Sequence, residues 1–156
     1  MPESDRGRGD VEQVRGVRDP AVLAWLRLAR VYSKMQRHLQ QHVRRFGLSL
    51  PQFDVLAHIG AAEGISQQAL AERLLVTKGN ICGLLDRMAA AGLVERRADP
   101  ADRRVNRLYL TPAGRSLFVQ VVPAHEAAVA RLMGALPPNE QRTLLCLLRT
   151  LDRALP

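Results

Sequence analysis

The sequence predicts a mostly α fold with a small β wing (α+β): a winged helix-turn-helix flanked by N- and C-terminal dimerisation helices. Three observations carry this expectation. Two short helical segments, each with its own start signal at Ser66 and Thr77, are separated only by Leu74-Leu75-Val76, the outline of a helix-turn-helix. Directly after Gly92, two strand-like runs, Leu93 to Arg97 and Val105 to Leu110, enclose a turn-like segment, and five arginines fall between Arg96 and Arg107. A basic β-hairpin in that place is a wing. On both sides of this unit lie long apolar stripes at helical spacing.

Taken in order, Met1 to Arg18 is polar and charged, without periodicity, and reads as a mobile N-terminal tail over 1–18. Asp19-Pro20 then starts a helix, with Asp as N-cap and Pro at the first helical position. The helix is expected to reach about Arg45. Trp25, Leu28, Tyr32, Met35, Leu39, His42 and Phe46 recur along it at three-and-four spacing. One small neighbour cannot cover that stripe, so it is expected to pack partly against a second subunit; the plainer alternative is a core helix of a monomer. Phe46-Gly47 ends the helix, and Ser49 with Gln52 forms a capping box for the next. Its apolar positions are Phe53, Leu56, Ala57 and Ile59, and Gly60 to Gly64 should close it.

In the helix-turn-helix, the pairs Ile65 with Leu70 and Val76 with Ile81 are spaced as hydrophobic staples, and Gly92 is the C-terminal cap. Thr111-Pro112-Ala113-Gly114 opens another long helix, to about Gly134, which Pro123 should kink or split. The last helix starts at Pro137-Pro138-Asn139-Glu140 and carries Leu144, Leu145, Leu147, Leu148, Leu151 and Leu155. So wide an apolar face at a chain end is expected to interlock with a partner's terminal helices. The resulting layout is a single domain over 19–156, with a DNA-binding unit at 49–111 between dimerisation helices at 19–46 and 112–156.

A chain of 156 residues, 47% hydrophobic and 24% charged, suits one globular domain with a real core. The net charge of +8 favours an acidic polymer as partner; the plainer alternative is a solvated basic surface. No apolar run is long enough to span a membrane, and the N-terminus lacks the apolar core of a signal peptide, so the expected place is the cytoplasm. Two cysteines, Cys82 and Cys146, make no disulfide framework. Cys146, in the leucine-rich last helix, is expected in the core.

The second short helix carries the chemistry. On a wheel of 3.6 residues per turn, Ile81, Leu84, Leu85 and Met88 share the core side. Gly79, Gly83, Asp86 and Ala90 lie opposite, flanked by Lys78, Cys82, Asn80 and Arg87. Two glycines inside a helix cost roughly 1 kcal/mol each against alanine. A backbone that must approach the major groove gives that cost a reason, and the helix N-terminus offers free N–H groups to a phosphate. The candidate DNA contacts are Ser66 and Gln67 at the first helix start, then Thr77, Lys78, Gly79, Asn80, Gly83 and Arg87. In the wing they are Arg97, Asp102, Arg103 and Arg104.

Gly92-Leu93-Val94-Glu95-Arg96, the run Asp99-Pro100-Ala101-Asp102-Arg103-Arg104, and Leu110-Thr111-Pro112-Ala113-Gly114 occur in that order and spacing. In this combination the chain closely resembles the MarR family of winged-helix transcriptional regulators. The resemblance implies that Asp102 and Arg104 form the minor-groove element of the wing, the aspartate orienting the guanidinium. It implies a homodimer that binds a pseudo-palindromic double-stranded operator, as a repressor released by a small, often aromatic or anionic, ligand. A pocket between the dimerisation helices and the DNA-binding unit would take that ligand, with Trp25, Tyr32, Asp54 and His58 as its candidate residues; each of these equally suits a structural role.

Two variants of that reading are a metal sensor and a redox sensor. His38 and His42 stand one helical turn apart, but further ligands would have to come from His58 or His125. The family's oxidation-sensing branch carries its cysteine near the start of the first long helix, where this chain has none; Cys82 is the remaining candidate thiol. No metal and no cofactor are expected. A winged helix used only for protein interaction is the competing class, and the basic wing argues against it. A hydrolase built on Asp54 and His58 lacks any nucleophile motif or phosphate loop, so no enzyme is expected.

Overall fold

The computed structural model describes residues 18–156. The tail expected at the N-terminus therefore lies, except for Arg18, outside the described residues. Six helices and three short strands follow in the order α1 (Pro20–Arg44), α2 (Leu50–Ala61), β1 (Ile65–Ser66), α3 (Gln67–Arg73), α4 (Lys78–Ala90), β2 (Val94–Ala98), β3 (Asn106–Leu110), α5 (Pro112–Met133) and α6 (Pro138–Ala154). The chain divides into two compact units, one ending at His38 and the other spanning Leu39–Pro156.

The first unit contains most of α1. Asp19 caps it, accepting the Ala21 N–H at 2.8 Å. Several of its apolar residues are uncovered in the single chain: Trp25 is 63% and Tyr32 61% exposed.

The second unit is built on a core in which Leu56 and Ile59 of α2, Leu70 of α3, Ile81 and Leu85 of α4 and Leu108 of β3 are fully buried. Local signals start the helices that surround it. The Ser49 hydroxyl accepts from the Gln52 N–H at 3.3 Å, and the Gln52 side chain accepts from the Ser49 N–H at 2.9 Å, a complete capping box. Gly60 lies inside α2 and does not close it. A Cβ there would sit 2.4 Å from the Phe118 ring of α5, so the glycine lets that ring lie against α2. The chain leaves α2 through Gly64, in the left-handed region at φ +84°.

That turn makes a strand where the sequence showed only a helix start. Ile65 and Ser66 form β1, pairing antiparallel with Leu108 and Arg107 of β3. The sheet order is β1-β3-β2, and β2 pairs with β3 from Val94↔Leu110 to Ala98↔Asn106. The wing is thus the β2–β3 hairpin, rooted on a third strand.

Two further expectations are corrected. Of the kink or split expected at Pro123, the split does not occur: α5 runs as one helix from Pro112 to Met133. The proline cannot donate to the Val119 carbonyl and its ring crowds that oxygen, a local cost that the rest of the helix carries. Cys146 is not a core residue: it is exposed, because α6 buries none of its residues within this chain. Leu145, Leu147, Leu148, Leu151 and Leu155 are 39–64% exposed along the same helix.

Candidate nucleic-acid interface

The turn between α3 and α4 presents one end of α4 to solvent. Thr77 caps it, its hydroxyl accepting from the Asn80 N–H at 3.3 Å. Ser66 caps α3 in the same way, through the Ala69 N–H at 3.1 Å. Burial of Ile81, Leu85 and Met88 turns Lys78, Gly79, Asn80, Asp86 and Arg87 outward, with Gly83 half-buried among them. The glycine face is bare. Nothing lies within 4 Å of a Cβ built on Gly79, and one on Gly83 meets only the Arg87 Nη1 at 3.7 Å. Gln67 is spent inside the motif, its amide donating to the Cys82 Sγ at 2.8 Å.

Arginine geometry divides the wing into a fixed root and a free tip. At the root, the Arg96 Nη1 pairs with Asp86 of α4 at 2.6 Å and its Nη2 donates to the Cys82 carbonyl at 3.3 Å. Strand β2 is thereby tied to α4. Arg97 pairs with Glu95 and stacks its guanidinium over the Tyr109 ring at 4.3 Å. Arg107 pairs with the nearly buried Asp99 at 2.5 Å and donates to the Gly64 carbonyl at 3.0 Å. The backbone N–H of Ala101 and then Arg107 hold the Asp99 carboxyl below the usual carboxylate range.

At the tip, Asp102 holds Arg104 with both carboxylate oxygens. The Nε lies 3.1 Å from Oδ1 and the Nη2 3.2 Å from Oδ2, while the Arg104 backbone N–H reaches Oδ1 at 3.0 Å. The Arg104 side chain contact, then its backbone N–H, keeps Asp102 below the usual carboxylate range and hence ionised at neutral pH. The guanidinium is oriented and still 90% exposed. Arg103 beside it has no ion-pair partner among the described residues.

The Arg96–Asp86 tie, the Tyr109 stack and the Glu63–Arg115 pair at 2.6 Å were not anticipated from sequence. The first was legible. Period-two alternation from the buried Val94 places Arg96 on the inward face of β2, and a half-buried arginine needs a carboxylate. The others join residues far apart in the chain or depend on ring placement.

Among the ligand candidates, Asp54 is half-buried in the wall of a cleft of about 340 Å³. Pro51, Leu74, Val76 and Leu84 supply apolar surface there, and Asn80 and Arg87 of α4 complete it. Burial raises the Asp54 carboxyl above its ordinary range, and nearby His58 pulls it back. The His58 Nδ1 sits 2.8 Å from the Asp54 carbonyl oxygen. Trp25 and Tyr32 lie exposed on α1. His38 is exposed, and half-buried His42 faces Phe46 and His125. Among the described residues no three His, Cys, Asp or Glu side chains gather as a metal would require. No helix among them is long and apolar enough to cross a membrane.

Comparison with known proteins gives a consistent set. A sequence model of the MarR family matches residues 46–105. The transcriptional regulator HosA of Escherichia coli O111:H- is 31% identical over 130 residues, covering 80% of this chain and 96% of that protein. Among solved structures, a cysteine-to-serine mutant of MarR from E. coli complexed with operator DNA superposes with a TM-score of 0.76 at 29% identity, covering 87% of this chain and 96% of that one. BpsR from Bordetella bronchiseptica, whose DNA binding is regulated by 6-hydroxynicotinic acid, matches with a TM-score of 0.75 at 29% identity, over 83% of this chain and 98% of that one.

Proposed function

Because this chain belongs to the MarR family of transcriptional regulators, we propose that it acts as a homodimeric repressor on a pseudo-palindromic double-stranded operator and is released by a small ligand. The observation that carries the reading is the pairing of two exposed elements on one body: the bare end of α4 at Lys78, Gly79 and Asn80, and the Asp102-held Arg104 at the wing tip. The first suits the major groove, where backbone and short side chains meet base edges. The second suits the minor groove, whose potential is most negative where it narrows. Ser66, Gln67, Thr77, Gly83, Arg87, Arg97 and Arg103 complete the proposed contact set. The caps Ser66 and Thr77 act through the helix ends they fix, and Gln67 through its hold on Cys82.

Dimerisation is supported by the uncovered apolar residues of α1 and α6. A two-fold dimer would set its α4 helices about one DNA turn, roughly 34 Å, apart. Release by a ligand is supported by the cleft at Asp54, because Asn80 and Arg87 belong both to it and to the proposed DNA face. His58, whose Nδ1 lies 2.8 Å from the Asp54 carbonyl oxygen, joins Asp54 in the proposed ligand set, and the regulation of BpsR by a small aromatic acid supports the same class of effector. A double-stranded DNA partner supports a place in the cytoplasm.

The test is fluorescence anisotropy on the full chain with a duplex selected from randomised DNA, paired with analytical ultracentrifugation. The expected result is a dimer at micromolar concentration, with affinity that falls steeply with salt. A monomer, or binding that ignores salt and sequence, would refute the reading.

A further inference from the structure

Leu75 stands in the turn between α3 and α4, and two of its properties are unusual together. It is 93% exposed. It is also the one non-glycine residue with positive φ, +52°, among the described residues. A leucine in left-handed backbone is disfavoured because its Cβ crowds the following carbonyl. Burial of its side chain does not compensate, since the side chain is in water. The left-handed turn closes α3, with the Leu75 N–H on the Glu72 carbonyl at 3.2 Å and the Val76 N–H on the Ala71 carbonyl at 3.1 Å, a place that glycine usually fills; a leucine there with its side chain in water is grounds for a functional hypothesis.

The surroundings give that hypothesis a chemistry. Leu75 and Val76 form the apolar wall of an open groove of about 690 Å³, and Lys78, at the start of α4, supplies a cation on the same groove. Glu72, which also lines it, is engaged by the Gln68 amide at 3.1 Å. Leu75 lies in the turn two residues before Thr77, the N-cap of α4, the helix end proposed above to face the duplex. The major groove offers one apolar mark, the C5-methyl of thymine.

We propose that Leu75 is a specificity-determining residue that packs on a thymine methyl at the edge of the major groove, with Lys78 on the neighbouring phosphate. The proposal rests on the DNA-binding reading above.

The experiment uses the full-length protein and a duplex it selects from randomised DNA. Each thymine in one half-site is replaced in turn by uracil, which removes only the methyl. The wild type should lose about fourfold in affinity at one position, the worth of one buried methyl-sized group. Leu75→Gly should lose at least that factor on the thymine duplex and be indifferent to uracil at that position. Its melting temperature should hold or rise, because glycine accepts φ +52° without strain. Leu75→Met, which keeps an apolar tip, should restore part of the discrimination.

Equal uracil sensitivity in wild type and Leu75→Gly would overturn the assignment, as would a uniform loss with no thymine involved. If no duplex is selected at all, the DNA-binding reading itself falls and the proposal falls with it. A selected duplex with no effect at Leu75 removes the proposal alone.

Discussion

Gly79 and Gly83 offer the sharpest test of why α4 is built as it is. Alanine at either position should leave the fold intact, since a Cβ at Gly79 meets nothing within 4 Å and one at Gly83 touches only the Arg87 Nη1 at 3.7 Å. Neither glycine has positive φ, so alanine brings no backbone strain. In an exposed helix interior the exchange stabilises by about 0.5–1 kcal/mol. The gain should be full at Gly83 and smaller at Gly79, which lies in the first turn. For a domain of this size 1 kcal/mol corresponds to a rise of about 2–4 °C in melting temperature, compared at equal protein concentration because a dimer's stability depends on it. Against DNA the sign reverses. If the backbone of this face lies on base edges, a methyl placed between them is an overpacking change costing about 1–3 kcal/mol, or roughly 5- to 150-fold in affinity. Melting curves and anisotropy titrations of the two single variants separate the effects. A variant that melts higher and binds as tightly as wild type would show that the glycines are merely tolerated.

Four further outcomes are expected. Gly114→Ala should destabilise by about 3 kcal/mol in chemical denaturation, because its Cβ would lie 2.0 Å from the Leu93 carbonyl oxygen, a backbone atom that cannot swing away; a midpoint like wild type would contradict this. Arg103→Ala should lower the log–log salt slope of binding by about 1 if it meets one phosphate, and an unchanged slope would remove it from the contact set. Arg104→Ala should lose more affinity on an operator with A·T-rich flanks than on its G·C-flanked version, with Asp102→Ala a milder copy; equal losses on both would leave Arg104 only its hairpin pairing. Burial raises the Asp54 carboxyl, so its ionised form weighs against folding above that raised pKa and the penalty disappears in acid. Asp54→Asn should therefore melt higher than wild type at pH 7, with the gap closing as pH falls through the carboxylate range, and a gap that widens in acid would reverse the argument.

Legibility from sequence followed the range of each interaction. Caps act over three or four residues, and Ser49, Ser66, Thr77 and Thr111 all start helices where their spacing indicated. Core stripes act over two turns, and Ile81, Leu85 and Met88 are buried as the wheel requires. What stayed hidden depends on partners far along the chain. Strand β1 has two residues and no pattern of its own; it exists because Leu108 lies opposite Ile65. Gly60 reads as a helix stop until Phe118 of α5 is seen against it. Cys146 reads as core because leucines surround it, and it is exposed because no element among the described residues covers α6.

The wing arginines show how far a charge count can mislead about a binding surface. Five arginines in a short hairpin look like five contacts for phosphate. Three of them have other work: Arg96 binds Asp86 of α4, Arg97 pairs with Glu95 over Tyr109, and Arg107 joins Asp99 to the Gly64 carbonyl. These contacts set the shape of the wing and its position against α4. Their energies as surface pairs are small, but a wing that swung freely would have to lose that freedom on every binding event. Arg104 is different in kind, because its partner Asp102 holds it while leaving it exposed. Reaching a narrow groove with a side chain already oriented avoids part of the ordering cost that a free arginine meets. Arg103, unpaired beside it, keeps that cost and is suited to a phosphate, where direction matters less than charge. If the proposed DNA reading holds, the fixed arginines would decide where the tip arrives, Arg104 which groove width it favours, and Arg103 would add affinity without sequence preference.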